Sequence, residues 1–479
     1  MSGLDVIVLG AGPAGLAAAN GLARRGLSVH LVEAQAAVGG NAGSFELAGL
    51  RVDFGSHRLH PASHPAVFAE LRELLGEDLL ERPRHGRIRL LGRWIHFPLR
   101  PLDLALRVDP RFAAGVGLDL ARKLLPGLGA GGGANRDETD TFASVLERGL
   151  GRTICRDFYF PYARKIWGIE PGEISAVQAT KRVSSGSLGA VLRRLLPGGT
   201  GSGAAQSRGI FYYPRRGYGQ ISESLAAAAE AAGAQISLGS RVTRVHRAPQ
   251  GGFEVELRSG DETRRLAAPR VWSTLPITVL ARFLDPSAPE EIRRAAENLE
   301  LRALLLIYLV LDVDRFTGYD AHYFPGADVP FTRISEPKNY TDLAPRGRTV
   351  LCVEMPCSPS DEVWSLEDGA LGERVADGLA RSGLPLPCPI REVVTRRLPA
   401  AYPVYRSGFE TQFDPIDRWL ADVEGLLSFG RQGLFVHDNT HHALYMARAA
   451  VACLRDDGSF DERAWQRERE IFETHVVED

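Results

Sequence analysis

The sequence predicts an α/β fold, and three observations carry that prediction. LDVIVLG (4–10) is a short, β-branched apolar run of the kind a buried parallel strand needs. It leads through a glycine-rich turn into an alanine- and leucine-rich helical stretch, GAGPAGLAAANGLARRG, and a second strand, SVHLVEA, follows. Far downstream, ALLLIYLVLDV and RTVLCVEMP read as strands and THHALYMARAAVACL reads as an apolar helix.

The chain has 479 residues, too many for one compact core, so two or three domains are expected. It is 44% hydrophobic and 24% charged, an ordinary globular balance. A formal net charge of −2 argues against a general nucleic-acid or acidic-membrane surface, though clustered arginines can still form a local anion site. The five cysteines (Cys155, Cys352, Cys357, Cys388 and Cys453) are scattered, with no CxxC and no His/Cys metal spacing. A reduced, cytoplasmic setting without a metal site is the expectation. The start of the chain lacks the basic region of a signal peptide. The most apolar run, 303–311, has nine residues where a membrane-spanning helix needs about 20.

The glycine-rich turn carries the strongest signal. Gly10, Gly12 and Gly15 form G-x-G-x-x-G between a strand and a helix, and Glu33 ends the next strand 18 positions past Gly15. The glycines differ in what they permit. Gly10 allows the tight turn, Gly12 lets the backbone approach a pyrophosphate, and Gly15 lets helix and strand pack closely. The helix N-terminus, with Pro13 and Ala14, offers N–H groups to the phosphates. Glu33 can accept from ribose hydroxyls, and its charge disfavours a 2′-phosphate. A dinucleotide is therefore expected. No second fingerprint appears, because the glycine-rich runs 126–140 and 197–209 do not sit between a strand and a helix.

The choice of dinucleotide comes from AQAAVGGNAGSFELAGLRVDFGSHRLH (34–60). In outline this resembles the E-x(5)-G-G-[RN] extension of the flavin amine oxidase, protoporphyrinogen oxidase and carotene desaturase group, with Asn41 where many members have arginine. GGNAGSF, FGSHRLH, FYFPYARKIWGIEPGEIS (158–175) with KRV (181–183), FTRISEPKN (331–339) and GRQGLF (430–435) look most like UDP-galactopyranose mutase and related FAD-dependent oxidoreductases. The resemblance runs in order across residues 5–455.

That resemblance implies a discontinuous Rossmann-type FAD-binding domain with a strand-rich substrate domain and a helical insertion. The expected divisions are 1–80, 205–285 and 415–479 for FAD, 81–101 and 286–414 for substrate, and 102–204 for the helical region. It implies that FAD lies along Gly10, Gly12, Pro13, Ala14, Gly15, Glu33, Ala34, Gly39, Gly40 and Asn41. Val242 would hold adenine through its backbone, and Gly430, Arg431, Asn439 and His441 would wrap the ribityl and pyrimidine end. His441 stands where relatives often carry Asp. No cysteine lies between 389 and 452, so the FAD is expected to be non-covalent.

For the substrate, the resemblance makes Arg182 and Arg333 anion holders, since a planar guanidinium fork matches phosphate oxygens. Trp167 becomes a stacking candidate and Tyr340 a pocket candidate. An exposed ion-pair turn made by Arg333, Glu336 and Lys338 is the alternative, and Glu336 is expected to orient Arg333. His57, Tyr162 and Tyr402 are the catalytic candidates, because an imidazole near neutral pH can exchange a proton or contact the flavin. His60 competes with His57; a histidine satisfied by backbone is the alternative for both. The expected chemistry is hydride transfer from a small polar, glycosyl or phosphorylated, substrate to flavin N5. A redox-neutral sugar-nucleotide mutase and a non-catalytic flavin-binding protein are the alternatives.

Overall fold

The computed structural model describes residues 3–124, 140–182, 209–343 and 345–477. Its organising element is a five-stranded parallel sheet in the order Leu426–Ser428, Arg270–Ser273, Val6–Leu9, Val29–Val32, Gln235–Ser237. The first strand is central because both its faces are covered. Val6 and Val8 pack with the helices Pro13–Arg24, Gln220–Ala231 and Thr440–Cys453. Ile7 and Leu9 face the opposite core, with Val245, Val255, Ile277 and Leu280. A strand buried on both faces has no polar alternation to display, which is why its sequence reads as unbroken apolar residues.

A second, seven-stranded sheet is mixed, in the order Ile390–Pro403, Leu301–Leu311, Thr349–Cys357, Arg333–Ser335, Ala321–Tyr323, Gly86–Leu90, Arg93–Phe97. ALLLIYLVL is its long inner strand, as the sequence predicts. Leu304, Leu306, Tyr308 and Val310 pack on the hairpin residues Leu47, Leu50 and Val52. Ala303, Leu305, Ile307 and Leu309 pack instead on Leu371, Val375 and Leu379 of the helix Asp368–Arg381. RPRHGRIRLLGRWIHFPLR forms the predicted hairpin, turning at Leu91 and Gly92, both with positive φ.

The stretch from Pro101 is helical, with Pro101–Arg107, Pro110–Leu124, Phe142–Leu150, Phe160–Trp167 and Ala176–Arg182. Both glycine-rich runs lie almost wholly outside the described residues. All five cysteines are free thiols, and Cys352 and Cys357 are buried on one strand, as expected. Among the described residues no helix is long and apolar enough to cross a membrane.

His322, on the short strand Ala321–Tyr323, is buried edge-on to Trp94. Burial, assisted by the charge of Arg87, pushes its pKa down from 6.5 to about 3. Because the folded value is depressed, the unfolded chain binds this proton first as pH falls. The stability associated with neutral His322 is complete above 6.5 and drains away between 6.5 and about 3. Replacing it by Gln is expected to flatten the acid side of the stability profile by about 2 kcal/mol between roughly pH 6 and pH 4.5. Urea unfolding of both proteins at the two pH values checks this; parallel profiles would refute it.

Candidate functional site

A cavity of about 470 Å³ joins the glycine turn of the parallel sheet to the inner face of the seven-stranded sheet. At one end its wall is Gly10, Gly12, Pro13, Ala14, Glu33, Gly40 and Asn41. The three glycines differ in what their backbone positions demand. Gly10 has φ +100°, in the region that glycine adopts without strain. A Cβ on Gly15 would stand 1.9 Å from the Gly10 carbonyl oxygen, so only glycine lets the helix start this close to the strand. A Cβ on Gly12 would meet nothing within 4 Å, because that direction opens into the cavity. Glu33 pins the turn by accepting from Ala11 N–H and Gln35 N–H, both at 2.8 Å.

The other end is lined by His57, Arg58, Tyr162, Arg333, Glu354, Tyr402 and Arg431. His57 Nε2 lies 2.9 Å from the carbonyl oxygens of both Asn41 and Phe54, and the ring stacks on Tyr218. Two carbonyl acceptors require Nε2 to carry the proton, which assigns Nδ1 as the acceptor nitrogen. Burial lowers the His57 pKa, which keeps the ring neutral. The loop bearing it is anchored by buried Asp53, which accepts from Ser44 Oγ and Tyr213 O–H at 2.6 Å and from Tyr218 N–H at 2.8 Å.

Arg333 is held by a different carboxylate from the one expected. Its Nε and Nη2 donate to Glu354 at 2.9–3.1 Å, across the strand pair in which Arg333 lies opposite Glu354. Glu336 is buried elsewhere, accepting from Phe316 N–H, Thr317 N–H and Thr349 Oγ1. Lys338 is buried too, donating to Asp314 at 3.0 Å. RISEPKNY is therefore not an exposed ion-pair turn: Arg333 faces the cavity and its neighbours brace the loop behind it. Tyr340 belongs to that brace. It is fully buried, its O–H donates to the Asp320 carbonyl at 2.7 Å, and it does not line the cavity.

Other predicted residues are also displaced from the wall. Trp167 packs edge-on against Phe142 and His437, while Tyr162 and Ile166 of the same helix reach the cavity. Gly15 serves helix packing, and Gly39, with φ +114°, serves the turn by donating its N–H to the Ala11 carbonyl. Ala34 and Val242 are not among the lining residues, and Val242 packs in the core with Val245 and Leu257. Arg182 ends its helix, and its side chain lies outside the described residues. Gly430, Arg431 and Asn439 line the cavity, and Asn439 caps the helix Thr440–Cys453. His441 is buried against His442 instead, and Asp438 lies along the wall with its side chain fully buried. His60 is buried outside the cavity.

Sequence reasoning missed Arg58, Glu354 and Asp438. Arg58 is nearly buried, 3.5 Å from Asp320, with Nη1 donating to Tyr323 O–H at 3.1 Å. A carboxylate in the middle of the apolar run VLCVEMP was the available signal for Glu354, since a buried charge needs a partner. The residues present suit a flavin dinucleotide: Gly12 leaves a cradle that a side chain would fill.

The family model described as "Flavin containing amine oxidoreductase" matches residues 13–446. AofH of Mycobacterium tuberculosis, assigned as a flavin-containing monoamine oxidase, is 28% identical over 312 residues, which is 62% of each chain. The chain thus spans under two thirds of that relative's length. The crystal structure of a reduced UDP-galactopyranose mutase shares the fold with a TM-score of 0.77 at 20% identity, covering 99% of this chain and 100% of that one. A structure assigned as a protoporphyrinogen oxidase from Exiguobacterium sp. 255-15 gives 0.70 at 18% identity, covering 94% and 98%. The glycine turn, the cavity it opens into and the family match over most of the sequence lead to one conclusion: the chain belongs to the flavin-containing amine oxidoreductases.

Proposed function

We propose that the chain holds FAD non-covalently along this cavity and removes a hydride from a small polar substrate bearing an anionic group, of glycosyl or phosphorylated type. The observation that carries the reading is the continuity of one cavity from the open side of Gly12 to the Arg333–Glu354 pair. When bound, the flavin supplies the two-electron acceptor at N5.

The chain itself does everything else. Gly12 admits the pyrophosphate, the N-terminus of the helix Pro13–Arg24 faces it with backbone N–H groups, and Glu33 takes the ribose hydroxyls. In this reading the described residues within 1–80, 205–285 and 415–479 form the cofactor domain, those within 81–101 and 286–414 carry the substrate face, and those within 102–204 cap it. Arg333 and Arg58 direct the anionic end of the substrate, their planes fixed by Glu354 and Asp320. Pre-oriented donors of this kind lose little entropy on binding. His57 offers a neutral Nδ1 to receive the proton of a substrate hydroxyl, and Tyr162 and Tyr402 flank the reacting carbon and exclude water.

Anaerobic mixing with a panel of amines, sugars and sugar phosphates tests the reaction. Bleaching of flavin absorbance near ~450 nm by a substrate with an anionic group is the expected result. Turnover only after dithionite reduction, with no net redox change, would replace hydride removal by redox-neutral isomerisation. A yellow protein that responds to neither would leave a binding function alone. Gly12→Val is expected to give folded but colourless protein, because its side chain would occupy the pyrophosphate position. Recovery of a flavin-saturated variant would contradict that placement. Arg333→Ala combined with Glu354→Gln, so that no buried carboxylate is orphaned, is expected to keep flavin and weaken the anionic substrate by roughly 10- to 100-fold. An unchanged KM would return Arg333 to a structural role.

A further inference from the structure

Exposed leucine collects at one margin of the molecule. Among the described residues nine large apolar side chains are exposed, and five of them, Leu91, Leu99, Leu102, Leu106 and Leu118, fall between residues 91 and 118. Single exposed leucines are ordinary on a protein surface, whereas a gathering of them marks a face that meets something.

The fold brings these positions together. The helix Pro101–Arg107 packs on Arg93–Phe97, the edge strand of the seven-stranded sheet. His96 N–H donates to Asp103 Oδ2 at 2.8 Å, and Arg93 Nε stands 3.9 Å from Asp109 Oδ2. The helix therefore runs back along the strand toward the hairpin turn at Leu91 and Gly92. Leu102 and Leu106, four positions apart and each 73% exposed, form its outward stripe. The next helix, Pro110–Leu124, continues the pattern: Arg111, Leu118 and Arg122, spaced seven and four apart, share one exposed side with Ala114.

The charges are sorted by depth. Residues 91–124 hold six basic and three acidic side chains, a net +3 in a chain whose total is −2. Each aspartate lies deeper than the arginine beside it. The Asp103, Asp109 and Asp119 side chains are 16%, 28% and 8% exposed, against 59%, 48% and 51% for Arg107, Arg93 and Arg122. Arg100 and Arg111 are exposed as well. Lys123 is turned inward instead, its Nζ donating to the Gly149 carbonyl at 2.7 Å. An approaching surface meets leucine and guanidinium.

None of these residues lines the cavity described above, so the face is separate from that site. A second copy of the chain seated on it would set the same arginines against one another, and like charges opposed across an interface are costly. A bilayer with acidic headgroups matches both halves of the pattern. Leucine side chains enter the acyl boundary, and guanidinium groups fork onto phosphate oxygens. We infer that the hairpin turn at Leu91 and the helices Pro101–Arg107 and Pro110–Leu124 form a docking face for a membrane carrying anionic phospholipid. Among the described residues no helix can cross a bilayer, so this attachment lies in the interface plane.

Sedimentation of the purified full chain with vesicles tests this, one set made of phosphatidylcholine alone and one with phosphatidylglycerol added. The wild-type chain is expected to bind the anionic vesicles roughly tenfold or more tightly than the neutral ones, and to be released as salt rises. Leu102→Ser/Leu106→Ser is expected to weaken that binding by roughly tenfold or more. Arg100→Gln/Arg111→Gln is expected to weaken it by about the same factor, on anionic vesicles only. Leu238→Ser/Leu343→Ser, at leucines exposed elsewhere, is expected to bind as the wild type does. All six replaced side chains are exposed, and far-UV circular dichroism checks that the fold is kept. No preference for anionic vesicles, unchanged binding in both face variants, or equal loss in the Leu238/Leu343 variant would each overturn the inference. So would a dimer in solution that Leu102→Ser/Leu106→Ser splits, which would assign the face to a second copy.

Discussion

The close approach between Gly15 and the Gly10 carbonyl is the constraint on which the rest of the molecule depends. It seats the first helix directly against the first strand, and that seating fixes where the Gly12 backbone opens. The helices that sandwich the sheet then pack against a surface already set. A single methyl group at position 15 would have to displace the carbonyl or the helix axis. Interior packing leaves little room for either, since protein cores are as dense as organic crystals.

At the opposite end of the cavity the governing consideration is charge. Two guanidinium groups stand nearly or partly buried, and each has a carboxylate: Asp320 for Arg58, Glu354 for Arg333. Burying four charges as two pairs costs least when hydrogen bonds meet the remaining donors and acceptors; among the described residues Arg58 Nε and Asp320 Oδ1 find none, while the second pair is better served. Glu354 meets this by also accepting the Ser56 N–H at 2.7 Å, which ties the loop carrying His57 and Arg58 to the same pair. The loop carrying the histidine and Arg58 is therefore tied to the strand pair that carries Arg333 and Glu354.

The glycine turn was legible in the sequence because its requirements are local: each glycine answers to atoms within a few residues. The long strand Leu301–Leu311 and the cap at Asn439 were legible for the same reason. The partner of Arg333 was not. Glu354 comes opposite it only through the register of two strands separated by a loop, whereas Glu336 is nearer in sequence but turned toward Thr349. Tyr340 was misread because its burial is decided by Phe211 and Tyr213, on a strand more than a hundred positions earlier. His441 and Asp438 differ by less than one helical turn, yet lie on opposite sides of the cap, and no single-residue pattern distinguishes those two phases.

The strand order of the parallel sheet has a consequence for biosynthesis. Val6–Leu9 leaves the ribosome first, but its neighbour Arg270–Ser273 and the edge strand Leu426–Ser428 emerge hundreds of residues later. Val29–Val32 can pair with it early, but until then its other edge has no partner, the circumstance in which long-range parallel pairing is slow and exposed to aggregation. The wall of the cavity that Gly12 opens into is complete only once translation has passed the start of the helix Thr440–Cys453, so the site is finished late in synthesis.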